Sequence, residues 1–171
     1  MPAAKLKQRV MFRPEDMLAL VAGVEDYPKF ISLISALRVT KREETGDERE
    51  VFEAEAIVAF KFLSETFRSI VEVDHAAKRI VVKKADKSGA VKSLSNHWVF
   101  HELSDGSTLI DFAVDVRLKA FPLEMLVREK FDKASQKIMN MFIAHAEQTY
   151  DKVGNENLDL ASEIKSLGLR A

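Results

Sequence analysis

The chain has 171 residues, 47% hydrophobic and 31% charged, with a formal net charge of -1 and no cysteine. That length suits one domain with a substantial core, and the charge balance sets up no global field toward nucleic acid, so DNA is not an expected partner. The missing cysteine excludes disulfides, thiol catalysis and thiolate-bound metals.

Residues 6–12 alternate apolar and polar side chains (Leu6, Gln8, Val10, Phe12) and predict an edge strand. Arg13-Pro14-Glu15-Asp16 then opens a helix, with proline in the first turn and acids complementing the helix dipole. Met17, Leu18, Val21 and Val24 give it an apolar face. Residues 17–24 are also the longest apolar run, far too short to span a bilayer. The basic segment 1–9 lacks the apolar stretch of a secretory signal, so a cytoplasmic location is expected. Asp26-Tyr27-Pro28 restarts the chain as a second short helix through Phe30, Ile31 and Ile34.

From 36 to 118 the period becomes two. Phe52, Ala54, Ala56, Val58 and Phe60 share one face, as do Phe67, Ser69, Val71 and Val73. Leu94, Asn96, Trp98 and Phe100 repeat the pattern, and Ile110, Phe112, Val114 and Val116 do so again. Turn residues separate the runs at 45–47, 74–78, 87–89 and 104–107, which predicts an antiparallel meander with one dry and one wet face. Phe121-Pro122 starts a long helix to about 152, in which Leu123, Leu126 or Val127, Phe131, Ala134, Ile138, Phe142 and Tyr150 recur at helical spacing. Residues 155–171 are weakly amphipathic; packing, fraying and disorder all remain open. The division expected is a domain over 1–152 and a tail over 153–171.

A sheet of six or seven strands is roughly 30 Å wide, whereas one helix is only about 10–12 Å across. A flat sheet would leave apolar surface wet at about 25 cal/mol per Å², so it must curl around the helix. Whether the space beneath is filled by side chains or by a ligand is not decided by the pattern.

Charge is unevenly spread. Six basic residues (Lys78, Arg79, Lys83, Lys84, Lys87, Lys92) accompany one acid between 78 and 92, and seven acids accompany one base between 43 and 55. Solvated hairpin faces are the plain reading, and a docking patch is the other.

Little points to catalysis. His97 and His101 lie four apart on a predicted strand, about 13 Å, too far to share a zinc ion unless the side chains converge. They fall opposite Trp98 and Phe100, on the wet face. His145 is either a satisfied histidine or a group lining a cavity mouth. No phosphate loop, nucleophile elbow or paired catalytic carboxylates appear. Phe67, Trp98, Phe100 and Phe112 pack as core or form aromatic walls for a flat ring or an apolar tail. Asn96 shares their face and either donates to a ligand carbonyl or pairs with backbone. Tyr27 and Phe30, with Phe121, Leu123 and Leu126, form either an entrance that touches membrane or an ordinary junction of helix ends.

Val24-Glu25-Asp26-Tyr27-Pro28-Lys29-Phe30 resembles the V-x-x-Y-P-x-F signature of the coenzyme-Q-binding START-like proteins, part of the wider polyketide cyclase and lipid-transport superfamily. The signature's usual Leu-Pro continuation is replaced by Ile31-Ser32-Leu33-Ile34. Ser88-Gly89-Ala90 followed by Trp98-Val99-Phe100 is similar to the family's glycine linker and W-x-F, without its Gly-Pro-Phe. The last helix, from Phe131 to Tyr150, also matches, so the resemblance covers about residues 3–152.

The resemblance implies an α+β helix-grip (START-like) fold: a curved antiparallel sheet of six to seven strands around a long C-terminal helix, with two short helices after the first strand. It implies non-catalytic binding and delivery of ubiquinone or a related polyprenyl lipid in support of quinone synthesis and respiration. Ubiquinone enters as ligand, not cofactor, and no metal is called for. The expected binding residues are Tyr27, Phe30, Phe67, Asn96, Trp98, Phe100, Phe112, Phe131, Ile138 and Phe142. A transient membrane surface, peripheral at the inner membrane, is the expected second partner. The alternative is a ribosome-associated, toxin-like regulator of subunit joining that uses Lys83, Lys84 and Lys87 against phosphate.

Overall fold

The computed structural model describes residues 3–44, 46, 48–60, 63–86, 88–119 and 121–169, leaving aside the side chains of 44, 60, 63 and 121–126. Its elements in chain order are β1 (Ala3–Val10), α1 (Pro14–Ala22), a 3-10 helix (Val24–Lys29), β2 (Ile34–Glu44), β3 (Arg49–Phe60), β4 (Leu63–Asp74), β5 (Arg79–Lys84), β6 (Val91–Glu102), β7 (Thr108–Leu118), α2 (Phe121–Thr149) and α3 (Leu160–Ser166). All seven strands join one antiparallel sheet in the order β1-β7-β6-β5-β4-β3-β2.

β2 to β7 form the predicted meander. β1 instead pairs with β7, from Ala3↔Asp115 to Val10↔Thr108, so the first two strands in sequence occupy opposite edges of the sheet. The connection between them, α1 and the 3-10 helix, therefore crosses one end of the concave face. α1 packs there against β5, β6 and α2. Its start is as read from sequence, with Pro14 at the first turn and Glu15 and Asp16 beside it, and Met17, Leu18, Leu20 and Val21 are buried beneath it. Irregular register in β2 and at Val91/Ser93 of β6 marks bulges, which bend strands and increase twist. α2 lies in the resulting curve against β1 and β7.

Alternation places Phe52, Val71, Val73, Ile80, Phe100 and Ile110 on the concave face, each at 2% exposure or less. Arginines match the acidic run of β3: on the convex face Glu55 meets Arg38 at 3.1 Å and Arg68 at 3.2 Å, and at the start of the strand Glu50, on the face of Phe52, meets Arg42 at 3.4 Å. Such exposed pairs contribute little each, about 0–1 kcal/mol, and read as a solvated lattice.

The C-terminal segment is packed. Ile164 of α3 is buried against Leu103 and Leu109, with Leu158, Leu160 and Leu169 around them. Leu109 alternates with the inward Ile110, so this small second core lies on the convex side of the sheet. A polar knot fastens the approach to it. Arg9 donates to Asp105 Oδ2 at 2.6 Å, to Ser107 Oγ and to the Asn155 carbonyl, while the Asn155 N–H donates to Asp105 Oδ2 at 2.7 Å. Gly154 turns the chain at φ 99°, and a Cβ there would come within 2.7 Å of Asp105 Oδ2, so only glycine lets the segment approach so closely.

Candidate functional site

Strand alternation turns Phe67 and Ser69 of β4, Ile80, Val82 and Lys84 of β5, Leu94, Asn96, Trp98 and Phe100 of β6, and Phe112, Val114 and Val116 of β7 toward α2. The helix answers with Phe131, Ile138, Met139 and Phe142. This lining is uneven along its length. At the end crossed by α1 it is sealed: Trp98 is 5% exposed and Phe142 3%. Toward the other end Phe67, Val82, Leu94, Asn96, Phe131 and Ile138 are all half-buried. Among the described residues the concave face is thus a trough sealed at its aromatic floor and only partly covered by side chains toward the other end, its mouth.

The floor is aromatic. Trp98 lies 4.5 Å from Phe112 between ring centres, 6.0 Å from Phe100 and 5.3 Å from Phe142. Phe142 continues the cluster edge-on to Phe30 at 5.4 Å and Tyr27 at 5.2 Å, and His145 stacks flat on Phe30 at 4.2 Å. Edge-to-face and offset pairs of this kind add about 0.5–1.5 kcal/mol each beyond area burial. The Tyr27 hydroxyl donates to the Val21 carbonyl at the end of α1, and burial pushes it well above its ordinary pKa.

The ten residues expected to bind ligand therefore fall into three groups. Trp98, Phe100, Phe112 and Phe142 make the floor, and Phe67, Asn96, Phe131 and Ile138 make the half-open walls. Tyr27 and Phe30 lie behind the floor, clamping the 3-10 helix to α2. They share no entrance with the start of α2, which is about 30 Å away along the helix axis. The side chains of Phe121, Leu123 and Leu126 lie outside the described residues.

Beside the small Ser69, two longer polar side chains break the apolar lining among the described residues. The Trp98 indole Nε1–H donates to Asn96 Oδ1 at 3.2 Å, so Asn96 pairs with a side chain and not with backbone. The second group, Lys84, departs from the expected basic patch. Its side chain is only 3% exposed because its Nζ reaches Asp86 Oδ1 at 2.8 Å and the carbonyls of Asp86 and Ser88, both at 2.7 Å. The Lys84 ammonium, with the Ser88 hydroxyl and N–H, holds the Asp86 carboxyl well below the usual carboxylate range. The same loop is tied from β4, where Glu65 accepts from the Ala90 N–H at 3.0 Å. The run Ile80-Val82-Lys84 carried the signal for this inward placement, since residues two apart share a face. Lys87 lies outside the described residues.

Among the described residues no group of three or more His, Asp or Glu side chains is disposed to hold a metal. His97 is exposed beside Ser95, as expected of the wet face. His101 is not: its Nε2 is buried without a hydrogen bond, 3.8 Å from Asp111. Its cross-strand neighbour Leu109 lies under the C-terminal segment, which removes that patch of sheet from water. Two hollows of about 270 and 310 Å³ lie over β3 and β4, lined by charged groups such as Glu55, Arg68 and Arg49, and offer no apolar enclosure.

Comparison with known proteins agrees with this geometry. The sequence pattern of the family described as polyketide cyclase / dehydrase and lipid transport matches residues 10–143. A curated relative, the mitochondrial coenzyme Q-binding protein COQ10 of Drosophila melanogaster, is 27% identical over 140 residues, 80% of this chain; the chain spans 55% of that protein's length. Among solved structures, the 18 kDa protein CC1736 of Caulobacter crescentus is 29% identical with a TM-score of 0.71, over 86% of this chain and 97% of its own. A START superfamily protein from Mycobacterium smegmatis (17%, TM-score 0.73, 86% and 99% covered) and the Zhui aromatase/cyclase from Streptomyces sp. R1128 (16%, TM-score 0.67, 85% and 93% covered) share the fold.

Proposed function

Because this chain belongs to the polyketide cyclase / dehydrase and lipid transport family, we propose that it binds a polyprenyl lipid, ubiquinone foremost, and delivers it chemically unchanged. One observation carries the reading: an apolar wall of Phe67, Val82, Leu94, Phe131 and Ile138 stays half-open in front of a sealed aromatic floor. Apolar side chains left partly wet between a sheet and its helix favour an apolar occupant. The similarity to a coenzyme Q-binding protein favours a quinone among such occupants.

The mechanism is exchange of one apolar environment for another. Each buried CH₂ of a prenyl tail gains about 0.8 kcal/mol relative to water and close to nothing relative to a bilayer, so uptake and release are both permitted. Contact with a membrane would be transient, at the open end, with the protein otherwise cytoplasmic and peripheral at the inner membrane. No chemistry on the lipid is required. Lys84, Glu65 and Thr108 already serve protein partners, Thr108 through its hydroxyl to the Phe12 carbonyl at 2.7 Å. The fold itself hosts cyclases as well as carriers, so the argument rests on the site.

The competing reading, a ribosome-associated regulator acting through Lys83, Lys84 and Lys87, is weakened by the commitment of Lys84 to Asp86 and Ser88. The test is lipid extraction and mass spectrometry of protein purified from a quinone-making host, beside Phe67→Asp verified as folded by its thermal melt. Ubiquinone on the wild type and not on the variant supports the carrier. A lipid-free wild type that co-sediments with ribosomes would overturn it.

A further inference from the structure

We propose that Asn96 is the group that reads the ligand's polar end, and that a carbonyl-bearing ring enters first, with its apolar chain trailing to the mouth. The proposal rests on the lipid-carrier reading above and adds the orientation of the ligand and the chemistry that recognises it.

An indole N–H can only donate. The 3.2 Å contact from Trp98 Nε1 therefore requires the oxygen of the Asn96 amide to face the tryptophan. The amide nitrogen, with its two hydrogens, is then directed away from Trp98, and it has no hydrogen-bond partner among the described residues. Asn96 is half-buried on the concave face, between Val82 and Val114 in the register of the sheet. That nitrogen is not buried, so solvent satisfies it while the trough is empty; an apolar molecule entering the trough would strip the solvent away and leave a costly unpaired donor, unless the molecule brings an oxygen acceptor to it. The matching ligand chemistry is a carbonyl or similar oxygen acceptor on an otherwise apolar molecule.

Position sets the orientation. Asn96 is one pleat in front of Trp98, which lies against Phe100, Phe112 and Phe142 with no room behind it. From Asn96 to the start of β6 at Val91 the strand runs about 17 Å toward the mouth. A molecule whose carbonyl meets Asn96 must therefore place its ring near Trp98 and its chain along Leu94, Val82 and Phe67.

Trp98 is the chain's single tryptophan, so its fluorescence reports on this position directly. Wild type would be titrated with a short-chain ubiquinone and, separately, with a polyprenyl hydrocarbon of similar length that carries no oxygen. Asn96→Asp, which keeps an acceptor for the indole, and Asn96→Leu, which adds no charge, would be titrated after their melts confirm folding. The expected result is deep quenching of wild type by the quinone, a loss of quinone affinity of about tenfold or more in both variants, and no comparable loss of hydrocarbon affinity in Asn96→Leu, whose side chain is apolar. Equal quinone affinity in wild type and Asn96→Leu would overturn the proposal while leaving the carrier intact. Quinone binding that leaves Trp98 unquenched would do the same. If wild type binds neither molecule, both the orientation and the carrier fall together.

Discussion

Lys84 Nζ lies 2.8 Å from Asp86 Oδ1, an ion pair between a side chain inside the trough and a carboxylate on the loop that borders its mouth. With the Ser88 carbonyl also on Nζ and Glu65 holding Ala90, residues Asp86, Ser88 and Ala90 are pinned from both β4 and β5. The lysine thus acts as a local fastener where its charge alone suggested a surface for phosphate.

The Lys84 ammonium lies 5.7 Å from the Phe67 ring centre, and Lys84→Met keeps an unbranched side chain there while removing the fastener. Amide hydrogen exchange at Ser88 and Ala90 should quicken by about tenfold or more, given that hydrogen bonds to charged groups are the strong ones, while the paired centre of β6 and β7 stays protected. Unaltered exchange at both amides would show that Glu65 holds the loop unaided. A lipid loaded on the variant should also leave faster than from wild type.

Acid should loosen the knot at Asp105. Burial pushes its carboxyl upward, but the Ser107 hydroxyl, the Asn155 and Ser107 N–H groups and the Arg9 charge outweigh burial and bring the pKa down to about 2. Being lower folded than unfolded, it stabilises the protein above about pH 4 and loses that contribution as pH falls through about 2. The full contribution is on the order of 2 kcal/mol. Urea unfolding of Asp105→Asn should show that loss at neutral pH and a shallower decline than wild type across the acid window. Parallel pH curves for the two proteins would refute it.

Tyr27→Phe separates a structural role from a binding one. The ring keeps its contacts with Phe30 and Phe142, and the bond to the Val21 carbonyl is lost. Stability should fall by about 1–2 kcal/mol, read from the denaturation midpoint, with quinone quenching of Trp98 unchanged. A stable variant with weakened quinone binding would instead put Tyr27 in contact with the ligand.

Much of this architecture can be read from periodicity, because burial of one sheet face forces alternation residue by residue. Phe52, Val71, Phe100 and Ile110 declare their face without knowledge of the partner strand. The two short helices after β1 follow from Pro14 and from Tyr27-Pro28, but the second is a 3-10 helix over Val24–Lys29 that ends before Phe30 and Ile31, and Ile34, expected within it, opens β2. What escapes is whatever depends on a distant partner or on orientation about a bond. The pairing of β1 with β7 joins residues about a hundred positions apart. The weak apolar pattern of 158–169 becomes a packed helix only because Leu103 and Leu109 offer a second apolar patch. Trp98 and Asn96 are visibly neighbours at spacing two, yet which end of the amide faces the indole follows only from their contact. Lys84 stands in a run of charge that masks the alternation pointing it inward.

The placement of β1 at the far edge has a consequence for the chain as it is made. β1 finds no partner until residues 108–118 have followed, and its last fastening, Arg9 to Asp105 and Asn155, waits until residue 155 has been made. Throughout that interval Ala4, Leu6 and Val10 form an apolar stripe with open backbone groups, the kind of edge onto which other nascent chains add. Lys5, Lys7 and Arg9 alternate with them on the opposite face. Their positive charges repel a second copy of the same strand, a protection that matters most before β7 is there to cover the edge.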